Sequence, residues 1–191
     1  MVLTPTPVPG VLVIELAPLA DNRGFFAVWL SREFFTAHGL NPHVEQANLS
    51  YNAAKGTLRG MHYQRPPFAE TKVVRCVRGA AYDVVVDLRP DSPTYCRWFG
   101  VELTADNRRA LYIPEGVAHG FQTLVDDTEV LYTVSAAYSP AHSEGVRWDD
   151  PAFGIQWPPA AHRTMHTRDR DYPDFVRVAP ATAAGELNRE R

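Results

Sequence analysis

Apolar positions along this chain fall in short runs broken by turn residues, and only one stretch carries a helical stripe. The runs are Val11–Leu16, Phe25–Leu30, Val44–Leu49, Thr57–Gln64, Lys72–Val77, Ala80–Leu88, Trp98–Leu103, Ala110–Ile113, Ala118–Leu124 and Glu129–Ser135. They are rich in Val, Tyr, Phe and Thr, which suit a pleated surface, and Gly, Pro, Asn and Asp separate them, as at Arg78-Gly79 and Asp106-Asn107. Arg32–His38 is the one amphipathic helix the pattern predicts, opened by Ser31 as N-cap and closed by Gly39. Past Ser139 the chain is punctuated by proline and predicts only short helical turns. Many closely spaced strands without βαβ alternation define an all-β sandwich or jelly-roll barrel with a few short helices.

Composition narrows the function classes. The 191 residues fit one domain, with 45% apolar and 21% charged positions. We find no internal repeat and no linker, and expect a single domain over 1–175 and a polar tail over 176–191. The net charge is −3 and no Lys/Arg run occurs, which argues against nucleic acid or an anionic membrane as partner. Any phosphate recognition must then come from cations gathered in a pocket. Cys76 and Cys96 lack metal-type or redox-type spacing and sit in apolar stretches, as small buried hydrophobes of a reducing compartment do. The amino-terminal run Val11–Ile14 is short and meets Glu15 at once, so neither a signal peptide nor a membrane span is expected, and the expected location is cytoplasmic.

Among seven histidines, two fall in suggestive contexts. His62 lies in LRGMHYQ and His119 in PEGVAHGF, with Pro114 four residues clear of His119, a spacing similar to the second motif of cupin barrels. The first segment has no HxH, and two imidazoles fall short of the three or four ligands of a catalytic metal site, so no metal is expected. His62 can instead serve as a base near neutral pH if a carboxylate orients its second nitrogen, and Asp169 is one candidate for that task. Lys72 and Arg59 can supply positive charge to an enolate or a diphosphate, and Tyr132 can supply an acid from another strand. Strand alternation puts Arg59 and His62 on opposite faces, so both reach one cavity only if Gly60 marks a bulge or kink.

Together these stretches resemble the dTDP-4-dehydrorhamnose 3,5-epimerase family. The resemblance is carried by DNRGFF, QANLS, GTLRGMHYQRPP, TKVVRCVRGAAYDVVVDLRPDSPTY, LYIPEGVAHGFQTL and GVRWDDPAFGIQWP, and runs from about Gly10 to Phe175. It implies a cupin-type jelly-roll barrel, a homodimer with a shared active site, no cofactor, and a nucleotide-linked 4-keto-6-deoxy sugar as substrate. It also implies His62 as base, Asp169 as its orienting carboxylate, Tyr132 as acid and Lys72 as the cation near O4. Arg23, Gln46, Asn48, Arg59, His119, Tyr138, Glu144 and Arg168 match further substrate contacts, with Arg23 reaching the site from the partner subunit. Two positions depart from the pattern: Val28 stands where a glutamate is expected, and Arg168 where lysine is common. The departure at Val28 leaves nucleotide identity open. Inversion of one carbon only, on a CDP- or GDP-sugar, is the alternative within the same chemistry; a metal-dependent cupin or a sugar-binding cupin are alternatives outside it.

Overall fold

The computed structural model describes residues 1–178. Two antiparallel sheets face each other. The first is built from β1 (Val2–Pro5), β2 (Leu12–Glu15), β5 (Gln46–Asn52), β7 (Lys72–Arg78), β10 (Ala110–Ile113) and β12 (Thr128–Val134), in the order β1-β2-β10-β7-β12-β5. The second holds β6 (Leu58–Gln64), β8 (Ala80–Asp87), β9 (Trp98–Thr104), β11 (Val117–Thr123) and β13 (Ser143–Gly145), in the order β13-β6-β11-β8-β9. A two-stranded hairpin of β3 (Leu19–Asp21) and β4 (Gly24–Phe26) stands apart. Chain neighbours β6 and β7, and again β7 and β8, lie in opposite sheets, which is the crossing pattern of a jelly roll.

Alternation along the strands sorts three apolar layers. Val74, Cys76, Val85, Leu111, Phe121 and Val130 are buried between the sheets. The outer face of the first sheet is covered by α1 (Arg32–Ala37), whose Phe35 packs with Ile14, Val73 and Tyr112. The outer face of the second is covered by the carboxy-terminal segment, through Val146, Phe153, Ile155 and Phe175. Burying all three layers is the main favourable term, at about 25 cal/mol per Å2 of apolar surface. The same parity has a consequence for chemistry. Lys72 shares a face of β7 with Val74 and Cys76, so its side chain enters the interior and is 8% exposed.

The predicted elements match this architecture with informative exceptions. Ser31 caps α1 as expected, its hydroxyl accepting from the Phe34 amide at 3.2 Å, and the helix stops at Ala37, one residue early. The run Phe25–Leu30 is strand only to Phe26, because Trp29 and Leu30 turn away to pack on the α1 layer. The strand expected at Val44–Leu49 is shifted to Gln46–Asn52, where it pairs with β12 in unbroken register from Gln46↔Val134 to Asn52↔Thr128. The edge strands β1, β3 and β13 were too short to predict, and the expected turns beyond Ser139 include one helix, α2 (Thr167–Arg170). Both cysteines are free and buried, and burial pushes the Cys76 thiol up to about 11, which keeps it unreactive. Of the expected tail, Arg177 and Val178 are hydrogen-bonded to the Ala152 carbonyl and the Tyr95 hydroxyl, and 179–191 lie outside the described residues.

One buried charge fixes the loop after β8. Asp87 is fully buried and accepts from Arg89 Nε (2.8 Å), Ser92 Oγ (2.5 Å) and Thr94 Oγ1 (2.7 Å). Burial pushes its carboxyl up, but the hydrogen bonds from Arg89, Ser92 and Thr94 outweigh burial and hold the pKa below the ordinary value. A depressed folded pKa contributes stability above the unfolded value, near 4, that is lost as pH falls through the folded value. Asp87→Asn should therefore cost about 1.5–3 kcal/mol at pH 7, and the gap to wild type in urea unfolding should narrow as pH drops below about 4.

Candidate active site

Two connected hollows open between the sheets, of about 410 and 310 Å3, and both are lined by His62, Lys72 and Tyr132. Arg59, Ser50, His119 and Asp169 complete the larger one. Gln46, Asn48, Glu70, Tyr138 and Arg168 line the smaller. The walls come from opposite sheets. His62 on β6 and His119 on β11 project from the second sheet, and Lys72 on β7 and Tyr132 on β12 from the first. Packed sheets lie about 10 Å apart, so a flat sugar ring between them meets one wall on each face.

Gly60 makes this lining possible. The ladder between β11 and β6 pairs His119 with His62 and Phe121 with Arg59, so the register shifts between them. Gly60 has φ 130° and the Gly60–Met61 peptide is cis. The shift turns Arg59 and His62 toward one cavity, as the conflict of parity required, and sends Met61 into the outer apolar layer. Gly120 lies directly against this turn: a Cβ on it would sit 2.7 Å from the Arg59 carbonyl oxygen. Arg59 is aimed by Asn52, whose side-chain oxygen accepts from Nε at 2.8 Å.

Asp169 arrives from far along the chain. A parallel bridge between Thr57 and Thr164, with Leu58 N donating to Thr164 O at 2.8 Å, runs the 160s beside the start of β6. The first turn of α2 then places Asp169, 5% exposed, under the bulge. Its Oδ1 lies 2.7 Å from His62 Nε2 and its Oδ2 accepts from Gly60 N at 3.2 Å. Burial pushes this carboxyl up, and the hydrogen bonds and charge of His62 and the Gly60 amide more than reverse it, so Asp169 stays ionised. An ionised carboxylate can only accept, so neutral His62 must carry its proton on Nε2, leaving Nδ1 as the basic nitrogen.

The opposite wall presents a phenol. Burial, assisted by the charge of Glu70, raises the Tyr132 phenol above its ordinary value, with Arg59 opposing. The hydroxyl is therefore protonated at neutral pH and can donate. Lys72 Nζ donates to the His62 carbonyl at 3.2 Å and sits 3.3 Å from Glu70 Oε1. A second imidazole–carboxylate pair borders the larger hollow: His119 Nε2 lies 2.9 Å from Oδ2 of the fully buried Asp83. Among the described residues no group of three or more His, Cys, Asp or Glu side chains is arranged to hold a metal ion.

Other sequence candidates fall at the rim or away from it. Arg168 donates to the Tyr172 hydroxyl at 2.8 Å and to Ser143 Oγ at 3.1 Å, and Tyr172 stands edge-on to His62. Tyr138 is exposed beside it. Glu144 lines neither hollow, since the Tyr63 hydroxyl (2.6 Å) and Arg65 (2.7 Å) hold its carboxylate. Arg23 is at the tip of the β3–β4 hairpin, paired with Asp21, and also lines neither hollow; Val28 borders an apolar hollow with Leu19 and Phe26. Sequence reasoning missed Asp83, Asn52, Ser50 and Tyr172. Ser50 Oγ is buried at the cavity wall without a partner among the described residues, and only the parity of β5 with Asn48 could have pointed to it.

A cupin-type jelly roll that sets an imidazole–carboxylate pair and a phenol on facing sheets, with a lysine between them, has the groups that proton transfer requires. A family profile described as dTDP-4-dehydrorhamnose 3,5-epimerase matches residues 5–177, and the chain belongs to that family. The dTDP-4-dehydrorhamnose 3,5-epimerase of Sinorhizobium fredii is 42% identical over 168 residues, spanning 88% of this chain and 86% of that protein. The crystal structure of the Bacillus anthracis enzyme of that name, with TDP and PPi bound, superposes with a TM-score of 0.86 at 40% identity, covering 91% of this chain and 98% of that one. ChmJ, a 3'-monoepimerase from Streptomyces bikiniensis in complex with dTDP-quinovose, gives 0.82 at 36% identity over 89% of this chain and 86% of that one.

The bulge offers a direct test of how the site is held. A Cβ at Gly60 would run into the Cα of Gly120 and lie 2.9 Å from the His119 carbonyl oxygen. Gly60→Ala should cost about 1–3 kcal/mol in urea unfolding, and the surviving folded protein should bind nucleotide sugar poorly, because Arg59 and His62 can no longer share a cavity.

Proposed function

We propose that this protein inverts C3 and C5 of a dTDP-linked 4-keto-6-deoxyhexose, converting the 4-dehydro-6-deoxyglucose sugar to the 4-dehydrorhamnose sugar. The observation that carries the reading is the opposition of the His62–Asp169 pair to Tyr132 across one cavity that also holds Lys72. The C4 ketone acidifies the protons on C3 and C5. His62 Nδ1 removes one, and the electron pair moves to O4 as an enolate beside the Lys72 ammonium. The Tyr132 hydroxyl then delivers a proton to the other face of the same carbon, which inverts it. His62 passes its proton to solvent, Tyr132 regains one, and the cycle repeats at the second carbon. Each proton transfer is assigned to a side chain of the protein. Arg59, His119, Arg168, Gln46, Asn48 and Tyr138 line the hollows where the nucleotide diphosphate and sugar hydroxyls must lie.

The site is shared between two copies of the chain. Leu19 and Phe26 on the β3–β4 hairpin are 72% and 68% exposed, an apolar surface that a second copy would cover. Arg23 stands at its tip, outside its own cavity, where it serves the partner's diphosphate, and Glu144 is a rim contact that engages once substrate is bound. No helix among the described residues is long and apolar enough to cross a membrane, and we place the activity in the cytoplasm, in keeping with two free, buried cysteines.

In deuterated water, His62→Ala should lower label incorporation at C3 and C5 by about 10²–10⁴-fold with nucleotide affinity retained. Tyr132→Phe should still incorporate label, but with retained configuration. Label at one carbon only in the wild type would instead make this a monoepimerase. Arg23→Ala and His62→Ala proteins should each be inactive, and mixing them should restore activity through hybrid dimers with one intact site. Mixtures as inactive as their components would show that the site belongs to one chain.

A further inference from the structure

Glu70 has no part in the reaction as derived above, yet it is the group that anchors Lys72. Lys72 is 8% exposed and the Glu70 side chain 11%, so both charges are withdrawn from water. An ammonium carries three N–H donors. One donates to the His62 carbonyl at 3.2 Å, and Nζ is ion-paired with Glu70 Oε1 at 3.3 Å. No other protein acceptor meets the ammonium among the described residues, and Lys72 lines both hollows. The other Glu70 oxygen accepts from Gln64 Nε2 at 3.2 Å. Gln64 is itself fixed, its two amide N–H groups shared among Glu70, Phe68 O and Ala137 O (3.1 Å to each carbonyl) and its Oε1 accepting from Ser139 N at 2.7 Å. A rigid chain of bonds thus runs from the backbone through Gln64 and Glu70 to the ammonium.

The neighbouring charges leave this task to Glu70 alone. Around Lys72 the hollows present Arg59, His62 and His119 from the second sheet, Tyr132 from the first, and Arg168 and Asp169 from α2. Asp169 is committed to His62 and Gly60, which makes Glu70 the counter-charge for Lys72. A buried ammonium without a counter-charge tends to lose its proton. We propose that Glu70 is a positioning residue for the epimerisation, holding the Lys72 side chain in place and turning a free N–H toward the oxygen that becomes the enolate. The inference rests on the reaction proposed above. Glu70 also faces Tyr132, where its charge adds to burial in keeping the phenol protonated. One carboxylate therefore sustains both the electrophile and the acid.

The test is Glu70→Gln, which keeps size and hydrogen bonding to Gln64 and removes only the charge, with Glu70→Asp beside it and wild type in parallel. Deuterium incorporation from solvent is followed from pH 6 to 10, as kcat and KM separately. Glu70→Gln should lose about 10- to 100-fold in kcat with KM within about threefold. The alkaline limb of its kcat profile should move to lower pH, because the Tyr132 phenol deprotonates more readily without the carboxylate. Glu70→Asp, charged but shorter, should recover part of kcat and restore the limb. An unchanged kcat and alkaline limb in folded Glu70→Gln would overturn the proposal, as would a fall in kcat with the limb unmoved, which marks a structural role. If Glu70→Gln does not fold, a Glu70→Asp profile identical to wild type in kcat overturns it equally, and a lowered kcat with KM within about threefold and the limb in place supports it. A wild type that incorporates no label would remove the proposed reaction and this inference together.

Discussion

The site depends on one carboxylate held between two donors. Asp169 accepts from His62 Nε2 with one oxygen and from the Gly60 amide with the other. The second bond pins the carboxylate to the backbone at the bulge, and the first fixes the orientation of the His62 ring: its Nε2 faces protein and its Nδ1 is the basic nitrogen. A hydrogen bond to a charged group contributes about 1.5–3 kcal/mol, enough to fix a tautomer many-fold over its alternative. The burial that would neutralise Asp169 is outweighed by these donors, so it remains the acceptor the arrangement requires.

Around that contact the jelly roll supplies opposition. His62, the proposed base, rides on the second sheet and Tyr132, the proposed acid, on the first, so the separation of two packed sheets becomes the separation of these two groups. Inversion of a carbon needs that arrangement, because the proton must leave one face and return to the other. Lys72 enters the same space through the parity of β7, and the interior that is apolar around Val74 and Cys76 turns polar there. The reactive end is thus a local substitution in a core whose remaining positions are ordinary packing.

Most strands were legible because short apolar runs between turn residues leave little choice of element. Interior Lys72 and Tyr132 follow from the same pattern once β7 and β12 are set. The parity conflict between Arg59 and His62 pointed to Gly60, and the register shift found there resolves it. What stayed hidden was set by distant pairing. Asp169 is 107 residues from His62, and Asp83 is 36 from His119, so no local spacing joins either pair; Asp169 was one candidate carboxylate until family resemblance singled it out, and Asp83 did not emerge at all. Strand ends moved for a related reason: β5 begins at Gln46 because β12 pairs with it there, whereas Val44 and Glu45 look equally strand-like in isolation. The role proposed for Glu70 rests on the position of Lys72 Nζ, which no local motif marks.

The central claim, that Asp169 sets His62 with a protonated Nε2 and a free, basic Nδ1, can be read directly by nitrogen NMR. Protein labelled with 15N-histidine, with His62 assigned by its absence from a His62→Gln sample, distinguishes protonated from unprotonated ring nitrogens by their couplings to the ring protons. At a pH where the ring is neutral, the account predicts a single Nε2–H tautomer for His62 in the wild type, and a mixed population in Asp169→Asn. A wild-type His62 protonated on Nδ1, with Nε2 bare, would contradict it.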